Sequence, residues 1–106
     1  MDVIDEYVEN TVRGVLVDYE GLWVIAWYFR NNLKIESDIK VKEKTFAVVR
    51  KLMEHNIMPD NLAEHGGFKF WEGTPQELYA RILAEWPEKG IPTLNYDDCW
   101  FALKKN

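Results

Sequence analysis

Apolar residues recur at helical spacing through the first half of the chain. The pattern predicts a first helix over residues 2–14, whose apolar face is formed by Ile4, Val8, Val12 and Val15. Acidic residues occupy its first turn and its opposite face, and carboxylates in the first turn favour the positive end of the helix dipole. We therefore expect one side of this helix to face a core and the other side to carry negative charge.

A second helix is predicted over residues 18–33, with Asp18 as a suitable N-cap. Its run at 22–29, LWVIAWYF, is apolar all round, which is typical of a helix with neighbours on several sides. A run this short also fits a buried strand, but the polar residues that lengthen the segment favour a helix.

A third helix is predicted over residues 39–55, with Ser37 or Asp38 as its N-cap. Asn56 suits the left-handed residue that ends a helix, and Pro59 prevents the helix from continuing. The predicted buried stripe consists of Val41, Thr45, Phe46, Val48, Val49, Leu52 and Met53.

The strongest local signal is the tetrapeptide that starts at Thr74. Threonine as the cap, Pro75 at the first helical position and Glu77 at the third predict a capping box. Glu77 is also expected to pair with Arg81 one turn later. The helix is predicted to end before Pro87 and to bury Leu78, Tyr79, Ile82, Leu83 and Trp86.

Two short strands are predicted in the second half. One is Phe68–Phe70, after a turn at Gly66 and Gly67, and the other covers residues 97–103, with Cys99 on its apolar face. Two strands alone are marginally stable, so they must pack against the helices. The sequence thus predicts a single α+β domain over residues 1–106, with about four helices, a short two-stranded β element and a single-layer core.

Charge and cysteine content narrow the function. The net charge is −5 and the pI about 5.0, which argues against nucleic-acid binding and is compatible with a basic protein partner. A single cysteine excludes a disulfide within the chain and favours a reducing compartment. No basic segment followed by an apolar one opens the sequence, and the longest apolar run is far short of a membrane span. We therefore expect a cytoplasmic protein without membrane contact, either a monomer or a weak homodimer.

Candidate catalytic and metal-binding residues are few. Cys99 with His55 or His65 could form a nucleophile and its base, but the apolar strand around Cys99 favours a core role. Zinc sites use ligands paired at short spacing, which the two histidines lack. Asp97 and Asp98 are neighbours in a strand, so they point to opposite faces rather than into one cleft. The sequence predicts no catalytic residue, no metal ligand and no cofactor.

Binding residues are easier to nominate. Residues 1–20 carry six acids and one arginine, so this region is predicted to dock on a basic partner or to be a solvated face. The basic segment 34–51 is interpreted as a solvated helix face. Large aromatic rings at a surface serve as interface anchors. The predicted partner-binding residues are Asp2, Asp5, Glu6, Glu9, Trp71, Asp97, Asp98 and Trp100.

One long motif carries a family resemblance. The stretch GGFKFWEGTPQELYARILAEW at 66–86, followed by DDCWF at 97–101, resembles a small bacterial family of unknown function. Its members resemble, or are encoded as, immunity proteins of contact-dependent inhibition and other polymorphic toxin systems. The resemblance covers residues 52–101 best, and residues 19–33 are also similar. It implies tight binding and inhibition of one cognate toxin, often a nuclease, and it assigns no fixed binding residues.

The predicted function is therefore stoichiometric occlusion of a cognate bacterial toxin, without catalysis. Masking of a nuclease site by an acidic protein requires complementary charge, a buried anchor and little ordering cost. The alternative is a structural or regulatory adaptor that binds another cellular protein or itself, and an enzyme comes third.

Overall fold

The computed structural model describes residues 2–14, 20–62, 68–87, 90 and 99–104. Its architecture is α+β with four helices, as predicted. The helices are α1 (Val3–Gly14), α2 (Leu22–Trp27, continued by a π-helical turn Tyr28–Asn32), α3 (Asp38–Glu54) and α4 (Pro75–Glu85). The strands are β1 (Glu20–Gly21), β2 (Ile57–Leu62), β3 (Phe68–Phe70) and β4 (Trp100–Leu103).

Helix α3 follows the sequence prediction closely. The Ser37 side chain caps it by accepting a hydrogen bond from the Lys40 backbone N–H at 3.3 Å. Asn56 closes the helix end with a φ of 61°, in the left-handed region. The predicted apolar stripe of α3 is buried except for Met53, which is half-buried. Helix α3 is therefore a central wall of the core.

Helix α2 is central, as predicted, but its predicted start is wrong. Leu22, Ile25 and Phe29 have no exposed surface. The helix begins at Leu22 because the two preceding residues, Glu20 and Gly21, pair with β4, and Gly21 offers no capping side chain. Asp18, the predicted cap, lies outside the described residues. The run is also not buried all round, since the Trp27 ring is 51% exposed.

The sheet has four strands in the described residues, two more than predicted. The order is β1-β4-β2-β3 and every pair is antiparallel. Strand β4 begins at Trp100, and the expected strand residues 97 and 98 lie outside the described part. The predicted turn at Gly66 and Gly67 lies outside it too.

Strand β2 was not predicted, because it has a proline and an aspartate in its middle. In an antiparallel strand, the N–H and the C=O of one residue point to the same side. The Pro59 carbonyl accepts the Trp71 backbone N–H at 3.1 Å, so the missing Pro59 donor also faces this side. Strand β3 ends at Phe70, and the proline therefore removes no regular ladder bond.

Helix α4 starts with the predicted capping box and buries Leu78, Ile82 and Trp86. The predicted ion pair of Glu77 with Arg81 is wrong. The Glu77 carboxylate accepts the Thr74 backbone N–H at 3.0 Å instead, and this bond lowers the Glu77 pKa. Arg81 pairs with Glu85 at 3.4 Å. The prediction that Leu83 is buried is also wrong, since the side chain is 39% exposed.

Candidate functional site: two grooves beside helix α3

Helix α3 lies between α1 and α4, and each neighbour forms a surface groove with it. We name the first the acidic groove. It has a volume of about 410 Å³ and is lined by Asp5, Val8, Glu9, Val12, Lys51, Glu54 and His55. Val8 is buried and Val12 half-buried, so the groove has an apolar floor between polar rims.

One carboxylate contacts an ammonium group in the acidic groove, and two further carboxylates, at the start of α1 and in α3, act on it through their charge. Lys51 donates a hydrogen bond to Asp5, and this bond raises the Lys51 pKa, with smaller contributions from the charges of Asp2 and Glu54. Three negative charges around one positive charge leave a net negative potential. A further cation can therefore be accommodated there.

Asp2 has a structural role beside this groove. Its carboxylate caps α1 by accepting the Asp5 backbone N–H at 2.8 Å, and this bond lowers the Asp2 pKa. The cap explains why α1 begins at Val3.

The structure brings together three of the predicted partner-binding acids, namely Asp2, Asp5 and Glu9. Glu9 also pairs with Arg13 at 2.7 Å, an exposed pair of small energetic weight. Glu6 lies on α1 and is exposed, outside the groove lining. Asp97 and Asp98 lie outside the described residues.

The two predicted aromatic anchors lie elsewhere in the fold. Trp71 is only 5% exposed and the Arg81 guanidinium lies 3.7 Å from its ring centre, so the expectation of a surface ring is wrong. Trp100 is half-buried in β4. A Cβ added to Gly21, its neighbour on β1, would lie 3.1 Å from the Trp100 ring. Among the aromatic side chains whose burial the structure describes, Trp27 is the most exposed, at 51%.

The second groove separates α3 from α4, and we name it the neutral groove. It consists of two recesses of about 430 and 450 Å³ that share Arg50 and Tyr79. Their lining comprises Ile39, Lys42, Glu43, Phe46, Ala47, Arg50, Met53, Glu54, Pro75, Gln76, Tyr79 and Leu83. The charges of Lys42 and Arg50 are balanced by those of Glu43 and Glu54. The apolar side chains Ile39 and Leu83 are 71% and 39% exposed.

Aromatic packing forms the floor of the neutral groove. The Phe46 ring is 5.3 Å from the Tyr79 ring and 5.3 Å from the Trp86 ring, measured between centres. The Arg50 guanidinium lies 5.4 Å from the Tyr79 ring centre. This floor belongs to the core, so the groove is preformed and needs little ordering to receive a partner.

Asp60 is the most unusual carboxyl group in the described part of the chain. It has no exposed surface, and neither of its oxygens has a hydrogen-bond partner among the described residues. Burial raises the pKa of Asp60 to about 7. It pairs in the sheet with Phe70 and Trp100, whose side chains stand on the same face. No strand is predicted from the sequence at β2, so nothing in it indicates that Asp60 is buried.

The remaining chemical candidates have structural surroundings. Cys99 has no exposed surface and belongs to the apolar core, which confirms the packing interpretation. His55 is exposed and forms the C-terminal cap of α3, and His65 lies outside the described residues. In the described part of the chain, no three His, Cys, Asp or Glu side chains gather as a metal site would require. No described helix has both the length and the apolar character to cross a bilayer.

Sequence reasoning missed both the neutral groove and the importance of α3 as a shared wall. The apolar exposure of Ile39 was visible in the sequence, because it precedes the buried stripe by two residues. The contribution of α4 was not visible, since it depends on which helices become neighbours. No protein-family model, curated protein or solved structure matches this chain, so the resemblance to immunity proteins stays a prediction.

Proposed function

We propose that this chain is a cytoplasmic immunity-type protein that binds and inhibits a basic bacterial toxin by stoichiometric occlusion. The acidic groove is its contact surface. The observation that carries the proposal is the gathering of carboxylates from α1 and α3 around Lys51, above an apolar floor.

The chemistry of this groove suits a basic side chain of a partner. An arginine or lysine from the toxin would enter beside Asp5 and Glu54, while its aliphatic part packs against Val8 and Val12. The net charge of −5 adds long-range attraction to a basic surface, which speeds association more than it slows dissociation. A nuclease whose substrate site is basic would be masked in this way.

Co-expression tests the proposal. The chain is produced with the product of the adjacent upstream reading frame in a host that this product kills. We expect growth rescue and a complex of the two proteins in equal numbers on purification. Rescue without a complex, or a neighbour that is harmless, would refute the immunity function.

The alternative function, a protein-binding adaptor, is favoured by a different observation. Ile39 and Leu83 are exposed beside the neutral groove, as expected of a surface that receives an apolar partner. A complex with a cellular protein that is not toxic, held through this groove, would favour the adaptor.

A further inference from the structure

We propose that the neutral groove is the interface of a two-fold symmetric homodimer, in which α3 of one copy packs antiparallel to α3 of the other. This inference concerns the side of α3 that faces α4, where Glu54 borders both grooves. It does not depend on the immunity function.

The first step is the spacing of the α3 residues that line the groove. Ile39, Glu43, Phe46, Arg50 and Met53 follow one another at intervals of four and three residues. This alternation places side chains in one seam along a helix, the arrangement that packs against a second helix. The seam covers about 20 Å at 1.5 Å per residue.

The second step is charge. Within one chain, Glu43 and Arg50 are seven residues apart, about 10 Å along the helix, so they are not ion-pair neighbours. Glu43 takes part in none of the ion pairs among the described residues. A two-fold axis that passes between Phe46 and Ala47 places Glu43 opposite Arg50 of the second copy, and the symmetry forms this pair twice.

The third step is shape. The same axis places Ile39, which is 71% exposed, opposite Glu54 of the second copy. Glu54 borders the recess that Met53, Pro75 and Tyr79 line with apolar surface. Ile39 of each copy would therefore enter the recess of the other, so that one register satisfies both charge and apolar contacts.

A neutral groove selects this occupant. Its rim charges are balanced, so it offers no net attraction to a strongly acidic or strongly basic partner. A second copy brings the same balanced set in reversed order, which is the complement that an isologous interface requires.

The experiment is a charge-exchange series followed by sedimentation equilibrium of the full chain. The wild type is expected to form a reversible dimer. Glu43→Arg and Arg50→Glu should each weaken it by at least about tenfold, because each substitution creates two like-charge contacts. An equimolar mixture of the two variants should recover the dimer, since the heterodimer again contains two ion pairs, one with the original sign and one with the reversed sign. The doubly substituted chain should recover it too.

Two further variants test the apolar contact. Ile39→Asp should abolish the dimer, and circular dichroism should show an unchanged fold because the side chain is exposed. Trp27→Gln is the matched control, since it removes a ring that is 51% exposed on another helix, and it should leave the dimer intact. A wild type that is monomeric up to its solubility limit would overturn the proposal. So would a dimer that the mixture fails to restore, or one that Trp27→Gln weakens as much as Ile39→Asp.

Discussion

The two grooves share α3 as a wall, yet they differ in nearly every other property. The acidic groove has a single ammonium group among carboxylates, and its floor consists of valine side chains. The neutral groove has balanced charges over an aromatic floor and exposes Ile39 and Leu83 at its edge. The comparison shows how the two sides of one helix acquire different surfaces: α1 adds carboxylates and valines on one side, and α4 adds Pro75, Tyr79 and Leu83 on the other.

The largest effect expected from this comparison concerns the two floors. Phe46→Ala removes a buried ring that contacts Tyr79 and Trp86, and it should lower the free energy of unfolding by about 3–5 kcal/mol. Val8→Ala removes two methyl groups from the other floor and should cost about 2 kcal/mol. Urea unfolding of the two variants measures the difference. Equal losses of unfolding free energy in the two variants would mean that the aromatic floor stabilises the core no more than the valine floor does.

The second effect comes from Asp60, which lies in the sheet outside both grooves. Its pKa of about 7 in the folded protein is above its ordinary value of 3.8, so the folded state binds more protons between these pH values. Protonation of buried Asp60 contributes to the free energy of unfolding, and this contribution is complete below about pH 4. It is lost as pH rises towards 7, by at most about 1.4 kcal/mol per pH unit.

Asp60→Asn checks this directly, because the amide cannot ionise. The variant should gain stability relative to the wild type as pH rises from 4 to 7, and the gain should level off above 7. Denaturant unfolding across this range gives the difference between the two proteins, in which other titrations cancel. A difference that does not change with pH would contradict the raised pKa. The variant also makes it easier to compare how the two grooves depend on pH, because it removes the titration of Asp60, which lies outside both.

The smallest expected effect concerns the N-terminal caps of α1 and α4, the helices that form the outer sides of the two grooves. Thr74 caps α4 with a hydroxyl, whereas Asp2 caps α1 with a carboxylate. Thr74→Ala should cost about 1 kcal/mol at neutral pH. The contribution of Asp2 is present above its unfolded pKa and is lost as pH falls through its lowered folded pKa. Unfolding of Thr74→Ala and Asp2→Ala at neutral and low pH measures both. A cost of Asp2→Ala that persists at low pH would contradict the carboxylate cap.

The sequence predicted the elements whose signals are local. The α4 capping box and the α3 stripe depend on residues within a few positions of one another, and both are confirmed. Strand β2 was missed, because the position of Pro59 is tolerated only where β3 ends. That condition is set by a strand from another part of the chain.

The site was predicted in part for the same reason. Acids spaced along α1 made its negative face visible, and the structure adds that Lys51 and Glu54 of α3 complete the groove. Trp71 was chosen as a surface ring by its type alone. Its burial depends on α4, which brings Arg81 over the ring. Composition therefore shows that aromatic rings are plentiful, and packing decides which of them is exposed.

Affinity for the partner, measured with one variant in each groove, tests the central claim most directly. Calorimetric titration would compare the wild type, Glu9→Lys in the acidic groove and Glu43→Lys in the neutral groove, with the toxin that co-expression yields. Both variants change the net charge equally. We predict that Glu9→Lys weakens binding by at least about tenfold while Glu43→Lys leaves it unchanged. Equal affinities for all three proteins, or a loss confined to Glu43→Lys, would contradict the assignment of the acidic groove as the toxin-binding surface.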